Sequence, residues 1–228
     1  MGSLYQIPIL KVSFDLELEP WELRAFRSAV SSIAGPEHIL FHNHLDDRKY
    51  LYKYPLIQYK IINKRPAIVC LKDGLDEIVH FFNNLGDSIN ILGEQRSIAV
   101  HKVHFNNWKF TLWEKPDFKH RIRKWLPFNE KNWKLWLEQK AIDQRRELLR
   151  KILIGNILAM AKGIGWFIDG EVKVEILHWN EPRSVKYKEN ITKQAVDVTF
   201  KTNVRLPAHI GLGKGVSFGF GTLLIRRD

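Results

Sequence analysis

The apolar residues of this chain change period as they go. Val12, Phe14, Leu16 and Leu18 alternate with Ser13, Asp15 and Glu17, the rhythm of a half-buried strand. Past Pro20 the period lengthens. Trp21, Ala25, Ala29 and Ile33 recur at helical spacing, with Gly35-Pro36 as the stop. Tyr52 to Ile62 and Pro66 to Leu71 read as two strands around Asn63-Lys64. Leu75, Ile78, Val79, Phe82 and Leu85 mark a second helix, closed by Gly86. Ser97 to Phe105 reads as a strand, with Asn106-Asn107 turning it into Trp108 to Trp113. The predicted order is β-α-β-β-α-β, the split βαβ or ferredoxin-like arrangement of an α+β fold.

The second half is less regular. Lys119 to Leu126 is read as a strand. Asn129 then serves as N-cap of one long helix, from about Glu130 to Lys162, with Gly163 as its C-cap. The first part of that helix is amphipathic through Trp133, Leu137, Leu148 and Ile152. The last part is apolar nearly all round, which predicts burial, and Gly155 is read as a bend. Strand-like segments follow at 171–179, 185–188, 195–206 and 218–225. No second helix is predicted among them, so a second ferredoxin-like copy is expected in distorted form. We place the division near Glu114 to Pro116, giving domains 1–115 and 116–228.

Charge sharpens this division. The chain of 228 residues carries a net charge of +11. Residues 1–115 hold 14 Lys/Arg against 13 Asp/Glu, whereas residues 116–228 hold 22 against 12. The second half is therefore the polyanion-binding half, whether the partner is nucleic acid, a membrane surface or heparin. No apolar run approaches the ~18 residues of a membrane span, and the N-terminus has no signal-peptide pattern. Cys70 is the only cysteine, which fits a reducing compartment and a cytoplasmic location.

Within the basic half, residues 210–221 read Ile-Gly-Leu-Gly-Lys-Gly-Val-Ser-Phe-Gly-Phe-Gly. Glycines let backbone come close to a ligand, and such a run can aim N–H groups at phosphate. A mononucleotide loop would open a helix after its glycines, and here only a short strand follows. The remaining readings are a flexible hairpin and a loop facing a polyanion. We take Gly211, Gly213, Lys214, Gly215, Ser217, Gly219 and Gly221 as candidate phosphate contacts, with Phe218 or Phe220 able to stack on a base. Arg121, Arg123 and Lys124 are further candidates, since alternation with Ile122 exposes the first two on one strand face. The basic residues of the long helix form no stripe and are assigned to a solvated face. The eight tryptophans are mostly assigned to the core.

The densest reactive cluster is the segment from Phe41 to Tyr50, which contains His42, His44, Asp46, Asp47, Arg48 and Lys49. Two imidazoles can take and give protons near neutral pH, and Arg48 or Lys49 can neutralise a transferring phosphoryl group. A base, an acid and a cation are what metal-free RNA cleavage needs. A pair of ordinary loop histidines and a metal site of His42, His44 and Asp46 are the competing readings. We assign no metal and no cofactor.

Taken together, the glycine segment 210–221 resembles the C-terminal glycine loop of the RAMP superfamily of CRISPR-associated RNA-binding proteins. The run Phe41-His42-Asn43-His44, followed by Leu51 to Lys60, is similar to the family of CRISPR repeat-RNA processing endoribonucleases. The resemblance implies two tandem ferredoxin-like domains. It also implies metal-independent cleavage of precursor RNA within repeats, leaving a 2′,3′-cyclic phosphate and a 5′-hydroxyl. The family's catalytic histidine maps onto His42 or His44, with His44 preferred, and its lysine role onto Lys49 or Arg48. The family often places a Tyr in the first helix, and residues 20–34 hold none; Tyr50, Tyr52 or the other histidine is left for that role. Implied partners are repeat RNA and, as further options, other CRISPR effector subunits and a second copy of the chain. The rival reading is a non-catalytic RNA-binding subunit of an effector complex.

Overall fold

The computed structural model describes residues 4–42, 44–46, 49–50, 54–188 and 190–225. It divides into two units. One comprises Gln6–Trp108 with Ser217–Gly219, and the other Met1–Tyr5, Lys109–Val216 and Phe220–Asp228.

The N-terminal unit runs β1 (Tyr5–Phe14), α1 (Leu23–Ala34), α2 (Ile39–His42), β2 (His44–Asp46), β3 (Lys49–Tyr50), β4 (Ile57–Ile62), β5 (Arg65–Leu71), α3 (Gly74–Asn84), β6 (Ser88–Ile91), β7 (Glu94–Ser97) and β8 (Val100–Phe110). Its main sheet has the order β4-β5-β1-β8. That is the ferredoxin-like order, with β6 and β7 as an added hairpin and β2 and β3 as another. The helices bury one stripe each: Leu23, Phe26, Val30 and Ala34 from α1, and Ile78 and Phe81 from α3. These meet Val12, Phe14, Ile57, Tyr59, Ile68 and Cys70 from the sheet in one core. Phe14 lies at its centre, 5.7 Å from Phe26 and 6.0 Å from Phe81 between ring centroids.

Several expected boundaries move. The first strand is Tyr5–Phe14, so Leu16 and Leu18 follow it rather than continue it. Asn106-Asn107 makes no turn, because β8 runs through both to Phe110. Asparagine in a turn-like pair is only a local preference, and ladder pairing with β1 overrides it.

The C-terminal unit runs β9 (Phe118–Trp125), α4 (Glu130–Glu138), α5 (Ile142–Gly163), β10 (Val174–Trp179), β11 (Arg183–Lys188), β12 (Ile191–Thr202), a 3₁₀ turn (Val216–Phe218) and β13 (Thr222–Ile225). Its sheet order, β10-β12-β9-β13, repeats that of the first unit strand for strand. β11 continues the β10 edge along β12. The second helix of the pattern is missing. Between β12 and β13 the chain forms irregular backbone, the 3₁₀ turn and the glycine segment instead. The fold is thus mixed α and β, with two sheets of matching order and a distorted second copy.

The single long helix expected over 130–162 is two helices. Asn129 caps α4 as predicted, accepting from Asn132 N–H at 2.7 Å. The break falls at Gln139–Ala141 and not at Gly155. Here Arg145 reaches back: its Nε donates to Gln139 O at 2.8 Å and its guanidinium lies 4.8 Å from the Trp136 ring centroid. No glycine or proline marks this stop, so composition could not reveal it. α5 buries Leu149, Leu153, Ile157 and Met160, while Leu158 in its apolar last part is 43% exposed. Arg146, Arg150 and Lys151 pair with Asp143 and Glu147 on its outer face. The tryptophans divide: Trp125, Trp136 and Trp166 are core residues, but Trp21 and Trp113 are exposed. Among the described residues no helix is long and apolar enough to cross a membrane.

Candidate functional site

The histidine segment begins where α1 ends. Phe41 in α2 is fully buried, which fixes the residue before His42 in the core. Its carbonyl accepts from Ser31 Oγ at 3.2 Å and from Arg27 Nη2 at 3.3 Å, both on α1. Three residues earlier, His38 Nδ1 lies 3.0 Å from Glu77 Oε2, and its ring stacks on His80 at 3.7 Å, both on α3. The segment is therefore tied to both helices just ahead of the candidate chemistry. His42 ends α2 and His44 opens β2, which pairs with β3 so that His44 faces Tyr50 and Asp46 faces Lys49 in register. Arg48 lies outside the described residues, as do the side chains of His42, His44 and Lys49.

In the C-terminal unit the basic candidates gather on β9. Arg121 and Arg123 are exposed, and their neighbour Ile122 is buried, as alternation requires. Lys124 takes a left-handed φ of 49° where the β9–β12 register shifts. Beneath them lies Asp197 of β12, 7% exposed. It accepts from Lys124 N–H at 2.8 Å, Arg183 Nη2 at 3.0 Å and Arg121 Nη2 at 3.4 Å. The Arg121 and Arg183 guanidiniums thus share one buried carboxylate, and with Arg123 and Lys124 beside them on β9 a surplus of positive charge remains. Burial lowers the Lys124 pKa, and Arg123 and Arg183 lower it further. Arg183 was missed in the sequence. Only the pairing of β11 with β12 brings it here, and its own neighbourhood carries no motif.

The glycine segment closes onto the same strand. Leu212 N–H donates to Gly221 O at 2.9 Å, Gly221 N–H to Lys124 O at 3.1 Å, and Phe220 N–H to Gly215 O at 3.2 Å. Those three donors are already used by the protein and do not face an anion. Gly211 bridges to Thr222, and Thr222 pairs with Arg123 in the sheet. A Cβ at Gly213 would fall 2.7 Å from Asn156 Oδ1 and 2.8 Å from Trp125 Nε1, so close packing requires glycine there. Lys214 is exposed, with Nζ 5.6 Å from the Tyr187 ring centroid. Phe220 is buried, 5.8 Å from Tyr187. Ser217 is also buried.

The tip of the segment belongs to the N-terminal unit. Gly219 has φ 82°, and a Cβ there would lie 2.6 Å from Leu23 Cδ2 on α1. Phe218 is half-buried beneath two guanidiniums of the same helix: Arg24 Cζ is 4.6 Å and Arg27 Cζ 4.5 Å from its ring centroid. The structure thus brings part of the glycine segment together with β9, and its tip together with α1.

Comparison with known proteins follows the same division. The family description "Cas6b N-terminal domain" matches residues 5–109, and "Cas6b C-terminal domain" matches residues 112–225. A crystal structure described as Cas6b superposes with a TM-score of 0.85 at 26% identity, over 97% of this chain and 100% of the other. A second, described as CRISPR RNA processing endoribonuclease Cas6b, gives 0.72 at 24%, over 97% and 100%. A type IV Cas6 crRNA endonuclease shares the fold at 0.57 and 14% identity, over 98% and 100%. An uncharacterized protein of Methanocaldococcus jannaschii is 37% identical over 107 residues, 45% of this chain and 68% of that protein. With both domain descriptions matched across nearly its whole length, the chain belongs to the Cas6b family.

Proposed function

We propose that this protein is an endoribonuclease that cuts CRISPR precursor RNA within its repeats without a metal ion. The observation that carries the reading is the anchored histidine segment. Phe41 is buried and its carbonyl is held from α1, so the chain is anchored one position before His42 and three before His44. Membership of the Cas6b family supports the substrate class, since one solved relative is described as a CRISPR RNA processing endoribonuclease.

In this reading one histidine takes the proton from the 2′-hydroxyl, and the oxygen attacks the adjacent phosphorus. The bond to the 5′-oxygen breaks, and the other histidine supplies that oxygen with a proton. Arg48 or Lys49 offsets the negative charge that builds up on the phosphoryl oxygens. The products are a 2′,3′-cyclic phosphate and a 5′-hydroxyl. Residues 1–115 carry the cutting machinery. Residues 116–228 hold the repeat by its phosphates, through Arg121, Arg123 and Lys124 and through Lys214 with its neighbouring glycines, Gly213 and Gly215.

The test is incubation of purified protein with cognate repeat RNA in excess EDTA, with chemical analysis of the new ends. Cleavage at one position with a cyclic phosphate is expected. Loss of cleavage on chelation would remove the metal-free mechanism. Undiminished cleavage by the H42A/H44A double variant would remove the site. Tight binding of repeat RNA without cleavage would leave the non-catalytic subunit as the better reading.

A further inference from the structure

Arg27 makes two contacts that join segments far apart in sequence. Its guanidinium lies over Phe218 at the tip of the glycine segment, 4.5 Å from the ring centroid. Its Nη2 also donates to the carbonyl of Phe41 at 3.3 Å, one residue before His42. A guanidinium suits this double role. It is planar, so it stacks on an aromatic face, and its N–H groups point outward from the edge to a carbonyl in the same plane. Arg24, one helical turn earlier on α1, covers Phe218 from a second position at 4.6 Å. The seat is a fitted one: at Gly219 the backbone takes φ 82° and packs against Leu23, whose Cδ2 would lie 2.6 Å from any Cβ there. At the other end, Phe41 is fully buried and Ser31 shares its carbonyl, so a displacement of Arg27 is transmitted to a backbone with little room to absorb it.

We infer that Arg27 is a positioning residue that couples the tip of the glycine segment to the histidine segment, so that seating Phe218 sets the backbone at Phe41 that leads into His42 and His44. The inference rests on the proposed nuclease reading for its functional consequence, but the coupling itself is a property of the fold. It gives RNA held by the glycine segment a physical route to the cutting residues. The route is a chain of contacts inside one structural unit: Phe218 ring, Arg27 guanidinium, Phe41 carbonyl.

Two measurements test it on the full-length protein. The first is single-turnover cleavage of repeat RNA by R27A, F218A, the double variant, F218L and F218Y, with thermal melts to show that each is folded. R27A and F218A are each expected to lower the cleavage rate constant about tenfold, with repeat-RNA affinity changed much less. The double variant is expected to be no slower than the slower single variant. F218Y, which keeps the aromatic face, restores the rate; F218L, which keeps only bulk, does not. Independent multiplication of the two single effects would overturn the coupling, as would loss of affinity alone. The second is hydrogen–deuterium exchange of the peptide spanning Ile39 to His42. Exchange there is expected to quicken in F218A, and unchanged exchange would overturn the coupling whether or not the protein cuts RNA. Quickened exchange in a protein that cuts nothing would leave the coupling standing and remove only the nuclease reading.

Discussion

The Asp197 carboxylate, nearly closed off from solvent on β12, holds the Arg183 guanidinium at 3.0 Å. Arg183 itself is about half exposed. One oxygen of that carboxylate also receives the Lys124 N–H, at the point where β9 departs from regular pairing. Asp197 therefore has a backbone task as well as an ionic one. D197A leaves a buried N–H without its acceptor and should cost about 2–3 kcal/mol, measured from urea unfolding midpoints. D197N keeps an acceptor for that N–H. It gives up only ion pairs to half-exposed arginines, which are worth little after screening, so its cost should stay near 1 kcal/mol or below. Equal losses for both variants would show that the charge, and not the N–H acceptor, is what matters.

The cation cluster predicts a salt dependence. Each phosphate neutralised on single-stranded RNA contributes about 0.7 to the slope of log affinity against log salt. R121A, R123A and R183A should each flatten that slope by about this amount for repeat RNA. They should also weaken binding similarly for unrelated sequences, since phosphate contacts do not read bases. K151A, on the far side of α5 and already paired to Glu147, should leave the slope unchanged. Filter-binding titrations at several salt concentrations decide it; an R183A slope equal to that of the parent would remove Arg183 from the interface.

His120 is an acid-sensitive point in the C-terminal core. It is 3% exposed on β9, its ring lies 5.6 Å from that of Phe200, and neither ring nitrogen has a partner among the described residues. Burial depresses its pKa from 6.5 to about 4. The unfolded chain takes up a proton as pH falls below ~6.5, while the folded protein resists until about pH 4. Stability from the neutral ring is thus complete above pH 6.5 and drains away as pH drops to about 4, by about 3 kcal/mol in all. In H120F that part of the pH dependence should vanish. Chemical denaturation at pH 7, 6, 5 and 4 compares the two proteins. Parallel pH profiles would count against a neutral buried imidazole.

Two glycines should respond in opposite directions. Gly219 combines φ 82° with a Cβ position blocked by Leu23, so G219A should destabilise by about 1–3 kcal/mol. Gly155 lies on the exposed side of α5, with open space where a Cβ would stand. G155A should stabilise by about 0.5–1 kcal/mol, the helix-propensity difference. Thermal melts of the two variants suffice, and a stabilised G219A would remove the fitted seat of the loop tip.

The sequence exposed what is periodic. The two long helices of the N-terminal unit and the ferredoxin-like order were legible because apolar residues recur at helical spacing, but the stripe read for α1 was displaced: Leu23, Phe26, Val30 and Ala34 form its buried face, Ala25, Ala29 and Ile33 only flank it, and Trp21 is exposed. The missing second helix was legible too, since glycines and strand formers fill its place. What escaped depends on pairing between distant segments. The stop between α4 and α5 is made by Arg145 capping Gln139, an interaction invisible in the helix-forming residues around it. Arg183 reaches Asp197 only through the β11–β12 register. For the glycine segment, composition suggested phosphate. The structure adds that Gly213 and Gly219 are also required by tight packing, a role composition cannot separate from ligand contact.

The matching strand orders have an unequal consequence in time. The N-terminal sheet closes with partners drawn from the first part of the chain, β8 being its last strand. In the C-terminal sheet, β9 must wait for β13, so that Arg123 meets Thr222 only after nearly all of the intervening unit has been made. Because β1 and β8 are about as far apart in sequence as β9 and β13, loop closure weighs on the two sheets alike, and the order of synthesis is what separates them. During synthesis the N-terminal sheet is therefore expected to form before the glycine segment acquires its shape, an order that limited proteolysis of chains stalled at increasing lengths would reveal. An unfinished chain would then hold a formed N-terminal sheet while the C-terminal sheet still lacked β13 and the turn that precedes it.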